Sequence, residues 1–141
     1  MTTKTYLPKG LPAPLPTEID APFWAATRRH QLVVQRCKGC GRHRFGPEIV
    51  CYVCRSFDAE WREVEPSGRI FSWQRVWHPV HPALKDACPY VVVLVELPHA
   101  DNVRIVGNLL GDPRQDVRID APVVGVFEDH AEFTLLQWQC A

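Results

Sequence analysis

From residue 68 to residue 139 the chain repeatedly sets apolar side chains at the period of a β-strand. GRIFSWQRVWH (68–78) alternates Ile70, Ser72 and Gln74 against Phe71, Trp73 and Arg75. This incomplete period of two predicts a strand with Phe71, Trp73 and Trp77 on one face. PYVVVLVEL (89–97) is an unbroken, β-branched run and predicts a strand buried on both faces. NVRIVGNLL (102–110), APVVGVFED (121–129) and AEFTLLQWQ (131–139) predict three more, with Gly107 as a bulge or bend. EDHAEF reads as the hairpin turn between the last two, and GDPRQDVRID (111–120) as a polar loop. Five strands with short connections predict a small closed barrel of the OB type.

Ahead of the strands the pattern changes. Residues 1–16 carry Pro8, Pro12, Pro14 and Pro16 and predict an extended arm. DAPFWAATRRH (20–30) predicts a short helix, capped by Asp20, with Pro22 tolerated in its first turn. Phe23, Trp24 and Thr27 share a face, which either packs on the chain's own core or anchors a partner. The expected division is a Pro-rich arm (1–17), a helix with a cysteine-rich segment (18–66), and the barrel (67–141). The fold class is mainly β.

At 141 residues and 46% hydrophobic, the chain suits one ordinary domain or two small lobes sharing a core. The first twenty residues hold no apolar stretch of the secretory kind. The longest apolar run, YVVVLV (90–95), is too short to span a bilayer. A cytoplasmic location with no membrane partner is therefore expected, in a compartment where disulfides are rare.

That compartment decides the reading of CKGCGRHRFGPEIVCYVC (37–54). Two Cys-x-x-Cys pairs lie ten residues apart. Each pair can wrap one ion from a tight turn, and two turns supply the four thiolates that tetrahedral Zn²⁺ prefers. The candidate ligands are Cys37, Cys40, Cys51 and Cys54. Gly41 follows the first pair and permits a backbone with positive φ, whereas Arg55 follows the second. The spacer is shorter than the roughly 15–20 residues of larger zinc sites, yet it fits a compact ribbon. Iron in a rubredoxin-like site and a redox dithiol are the competing readings. A closed four-cysteine site leaves no position for substrate, so the expected role is structural. His43, between the pairs, is the alternative ligand.

Net charge is zero, but it hides two poles. Residues 21–47 hold Arg28, Arg29, Arg36, Lys38, Arg42 and Arg44 and no carboxylate; residues 119–141 hold Asp120, Glu128, Asp129 and Glu132 and no Lys or Arg. The basic pole could meet the phosphates of coenzyme A, an acidic partner, or only the charge of the thiolates. The aromatics Trp24, Trp61, Trp73, Trp77 and Trp138 exceed what so small a core needs, so an interface is expected. No persuasive catalytic set emerges. His78 and His81 sit between prolines, in a loop. Cys88 would need one of them as a base. Cys140 is a tail thiol.

In order, the chain shows a helix with FW, then CKGCG, CYVC, EWREVEPSGRIFSW, PYVVVLVEL, VRIVGNL and PVVGVFE. This series resembles the zinc-ribbon/OB-fold protein family associated with acyl-CoA and thiolase-like enzymes, formerly a domain of unknown function. The resemblance spans about residues 18–139. It implies an N-terminal helix plus rubredoxin-like zinc ribbon followed by a five-stranded OB-fold barrel, with structural zinc. It implies a non-catalytic accessory subunit of a thiolase-like acyl-CoA enzyme, whether thiolase, aldolase or acyltransferase. That role would support complex formation or help to bind the acyl-CoA, in lipid or steroid metabolism. The partner would carry the catalytic cysteine, in a hetero-oligomer. Members also occur fused to hydratase-like domains in steroid side-chain breakdown; without such a fusion this chain is expected to be a separate small subunit. The alternative is a nucleic-acid-binding zinc-ribbon/OB module, which would want a basic groove with stacking aromatics. The barrel half is neutral to acidic, so nucleic acid is not the expected partner. The third class, an independent enzyme, would rest on His78, His81 or Cys88.

Overall fold

The computed structural model describes residues 4–141. The first three residues of the expected arm lie outside the described residues. Helix α1 (Ala21–Arg28) begins as expected with a proline in its first turn. Asp20 occupies the N-cap position, but its carboxylate does not cap the helix. It turns back to accept from the Thr17 amide and hydroxyl instead. Phe23, Ala26 and Thr27 are buried, and Trp24 packs against the core, so this face serves the chain's own interior.

Strand β1 (Leu32–Cys37) pairs antiparallel with the short β2 (His43–Arg44) on one side and with β3 (Ala59–Val64) on the other. The pattern of AEWREV did not announce β3 as a strand. Only Ala59, Trp61 and Val64 are apolar, and β3 is made by its partner: all six residues pair with β1.

The barrel follows, with β4 (Ser67–Val76), β5 (Tyr90–Leu97), β6 (Val103–Asn108), β7 (Pro122–Asp129) and β8 (Thr134–Cys140) in the order β6-β5-β4-β7-β8. It is mainly β and nearly closed. A parallel bridge joins Leu109 to Trp138, and the Leu110 amide donates to the Trp138 carbonyl at 2.7 Å. Gln137 adds a side-chain clasp, accepting from the Asn108 amide and donating to the Asn108 side-chain oxygen.

Three expectations change here. The bulge lies not at Gly107, where β5 and β6 stay in register, but in β4 between Ile70 and Ser72. Phe71 is the extra residue, so parity shifts. Ile70 and Trp73 fall opposite Val95 and Val93, which face the core, while Phe71 lies against Arg104 on the outer side. Phe71 and Trp73 therefore do not share a face. Strand β5 is fully buried on one face and only partly on the other: Val91, Val93, Val95 and Leu97 fill the barrel, whereas outside Tyr90 and Glu96 are buried but Val92 and Leu94 only half-buried. On that outer face Glu96 bridges Arg69 and Arg104, and Arg69 first, then Arg104, holds its carboxyl below the usual carboxylate range.

Gly107 has another purpose. A Cβ there would sit 2.8 Å from the Leu136 carbonyl oxygen and 2.8 Å from the Trp138 ring. Its bare backbone lets β6 meet β8. Gly107→Ala is expected to destabilise the protein by about 1–3 kcal/mol by forcing the seam apart; urea denaturation against wild type checks this.

Phe23, Leu32 and Val34 belong to one continuous core with the barrel valines, Ile105, Leu136 and Trp138. The arm is tied down by Tyr6, whose amide donates to Glu128 and whose hydroxyl accepts from the Val91 amide. No helix among the described residues is long and apolar enough to cross a membrane.

Candidate metal centre

The two Cys-x-x-Cys turns are built alike. In the first, the Gly41 amide donates to the Cys37 carbonyl and the Cys37 amide to the Arg42 carbonyl. In the second, the Arg55 amide donates to the Cys51 carbonyl and the Cys51 amide to the Ser56 carbonyl. The residue after each pair is left-handed: Gly41 at φ 80° and Arg55 at φ 64°. The sequence supplied a glycine for only one of these positions, and Arg55 takes the other at a steric cost. A non-glycine residue there costs about 1–2 kcal/mol. Arg55→Gly is thus expected to raise stability by about 1 kcal/mol and the Tm by a few degrees, which calorimetry on the zinc-loaded protein reads directly.

These turns bring all four expected ligands together. Their Sγ atoms lie within 4.8 Å of one another. Cys37 and Cys54 are 3.5 Å apart, Cys40 and Cys51 3.7 Å. Four thiolates at the usual Zn–S distance of about 2.3 Å stand roughly 3.8 Å apart along a tetrahedral edge, so the donor set fits the ion. Amides point at sulfur as well, from Gly39 and Cys40 to Cys37 and from Val53 to Cys51. The Cys54 and Val53 amides bring the Cys51 thiol down to about 6. The Cys40 amide likewise lowers Cys37. The Ser56 amide favours a Cys54 thiolate, but crowding by Cys37, burial and the other thiols outweigh it and push that thiol up to about 11. Such a cluster resists full ionisation by itself, and a bound dication removes the conflict. Cys37 and Cys51 are buried, while Cys40 and Cys54 are exposed.

His43 is not part of this group. Its ring and amide both bond to Asp101, tying the ribbon to the turn after β5. Among the described residues, no other group of three or more His, Cys, Asp or Glu side chains gathers as a metal site would. His81 Nδ1 accepts from the Ala83 amide and caps a short 3-10 turn (Pro82–Leu84). The nearest partner of Cys88 is the Leu84 carbonyl, at 3.8 Å, and that of Cys140 is Gln115, at 3.9 Å.

The basic pole is largely spent on the fold. Arg28 donates to the carbonyls of His130, Ala131 and Phe133 and so braces the β7–β8 turn. Arg36 pairs with Glu60, and Lys38 with Asp58. Arg44 is buried on Gln35 and the Glu48 carbonyl. Arg42 donates to the Tyr52 hydroxyl. Sequence reasoning missed the surface of the second knuckle, where Ile49, Tyr52, Val53 and Phe57 point outward. The signal was present in EIVCYVC: when the thiols turn inward to one ion, the apolar residues between them are left outside.

Comparison with known proteins agrees with this geometry. Residues 24–60 match the family described as the ChsH2 rubredoxin-like zinc ribbon domain, and residues 61–128 match the ChsH2 C-terminal OB-fold domain. The zinc-ribbon match and the clustered thiols together support structural zinc. A solved structure described as the Ltp2-ChsH2(DUF35) aldolase contains a chain that superposes with a TM-score of 0.80 at 34% identity. The match covers 91% of this chain and 98% of that one. A DUF35 domain-containing scaffold protein of Methanothermobacter thermautotrophicus is 30% identical over 71% of this chain and 74% of its own length. A probable enoyl-CoA hydratase alpha subunit of Thermomonospora curvata is 38% identical over 83% of this chain. The chain spans only 36% of that subunit.

Proposed function

Because this chain belongs to the ChsH2/DUF35 family of zinc-ribbon and OB-fold proteins, we propose that it is a non-catalytic accessory subunit of a thiolase-like acyl-CoA enzyme. One observation carries the reading: the near end-to-end likeness to a chain of the Ltp2-ChsH2(DUF35) aldolase. The site chemistry is consistent with it. A four-thiolate zinc site is closed to substrate, and His81 and Cys88 are each engaged with local backbone. In this reading Cys37, Cys40, Cys51 and Cys54 hold the zinc. The arm comprises residues 1–17, the ribbon lobe 18–66 and the barrel 67–141; the last division falls between the end of β3 and the start of β4. The partner contributes the catalytic residues, and the two form a hetero-oligomer.

The test is capture of the tagged chain from its native cells, with identification of what it holds in stoichiometric amount. An acyl-CoA enzyme subunit, inactive or unstable alone and active when recombined, is the expected result. Acyl-CoA turnover by the isolated chain would overturn the reading. A contribution to acyl-CoA binding is the finer part of the proposal, and calorimetric titration of the chain and of the complex with a CoA thioester tests it separately.

Nucleic-acid binding has one observation in its favour: exposed aromatics beside arginines on the barrel. However, Arg104 lies 3.6 Å over Phe71, Arg114 5.0 Å over Trp77 and Arg75 5.2 Å over Trp73. One face of each ring is already taken, which weakens a stacking platform. A low-salt gel shift with single-stranded DNA and RNA separates the two readings.

A further inference from the structure

We propose that the second zinc knuckle and its flanks are the docking tip by which this chain grips its enzyme partner, on a face that offers an apolar recess rimmed by carboxylates. The proposal rests on the accessory-subunit reading above and adds the surface and its complement.

Within nine residues the knuckle exposes Ile49 (71%), Val50 (40%), Tyr52 (67%), Val53 (52%) and Phe57 (77%). Scattered exposed apolar residues are ordinary, but such a concentration marks an interaction site. The barrel also exposes aromatics, yet its own guanidinium groups lie over them. On the knuckle only Tyr52 has such a neighbour, Arg42, at 5.8 Å from the ring centre.

Charge narrows the partner. Arg42 and Arg55 flank the tip, are exposed, and make no ion pair among the described residues. Lys38 is already held by Asp58. Glu48 and Asp58 are the exposed carboxylates of the same stretch. Arg42 keeps one bond, to the Tyr52 hydroxyl, and Arg55 has no carboxylate partner among the described residues. Two guanidinium groups without ion pairs beside an apolar tip call for carboxylates on the opposing face, where bidentate pairing is available. The tip is also rigid before it binds. Two matched turns and a four-thiolate centre fix its backbone, so little ordering entropy opposes docking.

The experiment uses the zinc-loaded full chain as bait in native-cell extract, then measures affinity for the purified stoichiometric enzyme subunit. Four proteins are compared: wild type, Ile49→Asp/Val53→Asp, Arg42→Glu/Arg55→Glu, and Val106→Asp. Val106 is an exposed residue of β6, in the barrel and not in the knuckle. Wild type and Val106→Asp are expected to bind alike, and both knuckle pairs to lose at least a hundredfold in affinity. Added salt should weaken wild type more than the Arg42→Glu/Arg55→Glu protein. Zinc content and thermal unfolding report whether each variant folds. Should the aspartates disturb the ribbon, Tyr52→Ala/Phe57→Ala takes their place. If wild type holds the enzyme and the knuckle variants hold it equally well, the docking tip is wrong and the accessory role stands. If wild type holds no acyl-CoA enzyme, both fall. Self-association of the chain that Ile49→Asp/Val53→Asp abolishes would make the tip a contact between copies and overturn the proposal.

Discussion

Cys51→Ser is expected to release about one equivalent of metal and to dissolve the segment from residue 37 to residue 58, while the barrel stays folded. The reason is how little else holds that segment. Apart from Phe45, which packs on Phe23, its large apolar residues point outward, β2 contributes only two residues, and the order of both turns derives from sulfur drawn to one point. Metal binding in small zinc modules is worth about 10–16 kcal/mol at neutral pH, comparable with the whole stability of a domain. The damage should nevertheless stop short of the barrel. Phe23, Leu32 and Val34 are packed into the common core and need no metal to stay there. Metal analysis and hydrogen exchange check this. Amides of residues 37–58 should lose protection in the variant, and those of β5 should keep it. Cys140→Ser, at an exposed thiol, should change neither. A Cys51→Ser protein with full zinc and a protected ribbon would sink the four-thiolate assignment.

Trp138→Ala is expected to cost about 3–5 kcal/mol, the range for emptying a large buried aromatic site, and to lower the Tm by roughly 10 °C or more. Trp138 is fully buried, and its backbone closes the barrel against Leu109 and Leu110. Its indole nitrogen is buried with no hydrogen-bond partner. What the side chain contributes is therefore packing, and the unpaired N–H works against it. This sets the comparison: Trp138→Phe keeps most of the ring and sheds the orphan donor, so it should cost less than about 1.5 kcal/mol. Urea denaturation of both proteins decides. Equal losses would mean that the indole nitrogen, through a partner such as water, matters more than ring volume.

Both predictions mark a boundary in what the chain's pattern foretells. The cluster of four thiols was legible because coordination chemistry is local: a Cys-x-x-Cys turn needs two thiols at fixed spacing, and two turns need only reach each other. The barrel strands were legible because a buried strand in water writes its period into the sequence. Asp20 was legible as a helix boundary, but not in its bonding, since Thr17 competes for the same carboxylate.

The sequence by itself determined the four thiols, the mainly β class, the helix and the five barrel strands. Each follows from the chemistry or burial of a contiguous stretch. The tertiary structure alone decided the rest. It made a strand of AEWREV because β1 offered an edge. It placed the β4 bulge at Phe71 and so split the aromatics between two faces. It required Gly107 to be bare because Trp138 arrives from a strand distant in the sequence. It forced Arg55 into a left-handed turn because the second knuckle must mirror the first. It left the apolar residues of CYVC in solvent because their thiols face inward. In the first three cases the deciding partner lies far along the chain, where no local period can record it; for the second knuckle it is the convergence of the two Cys-x-x-Cys turns.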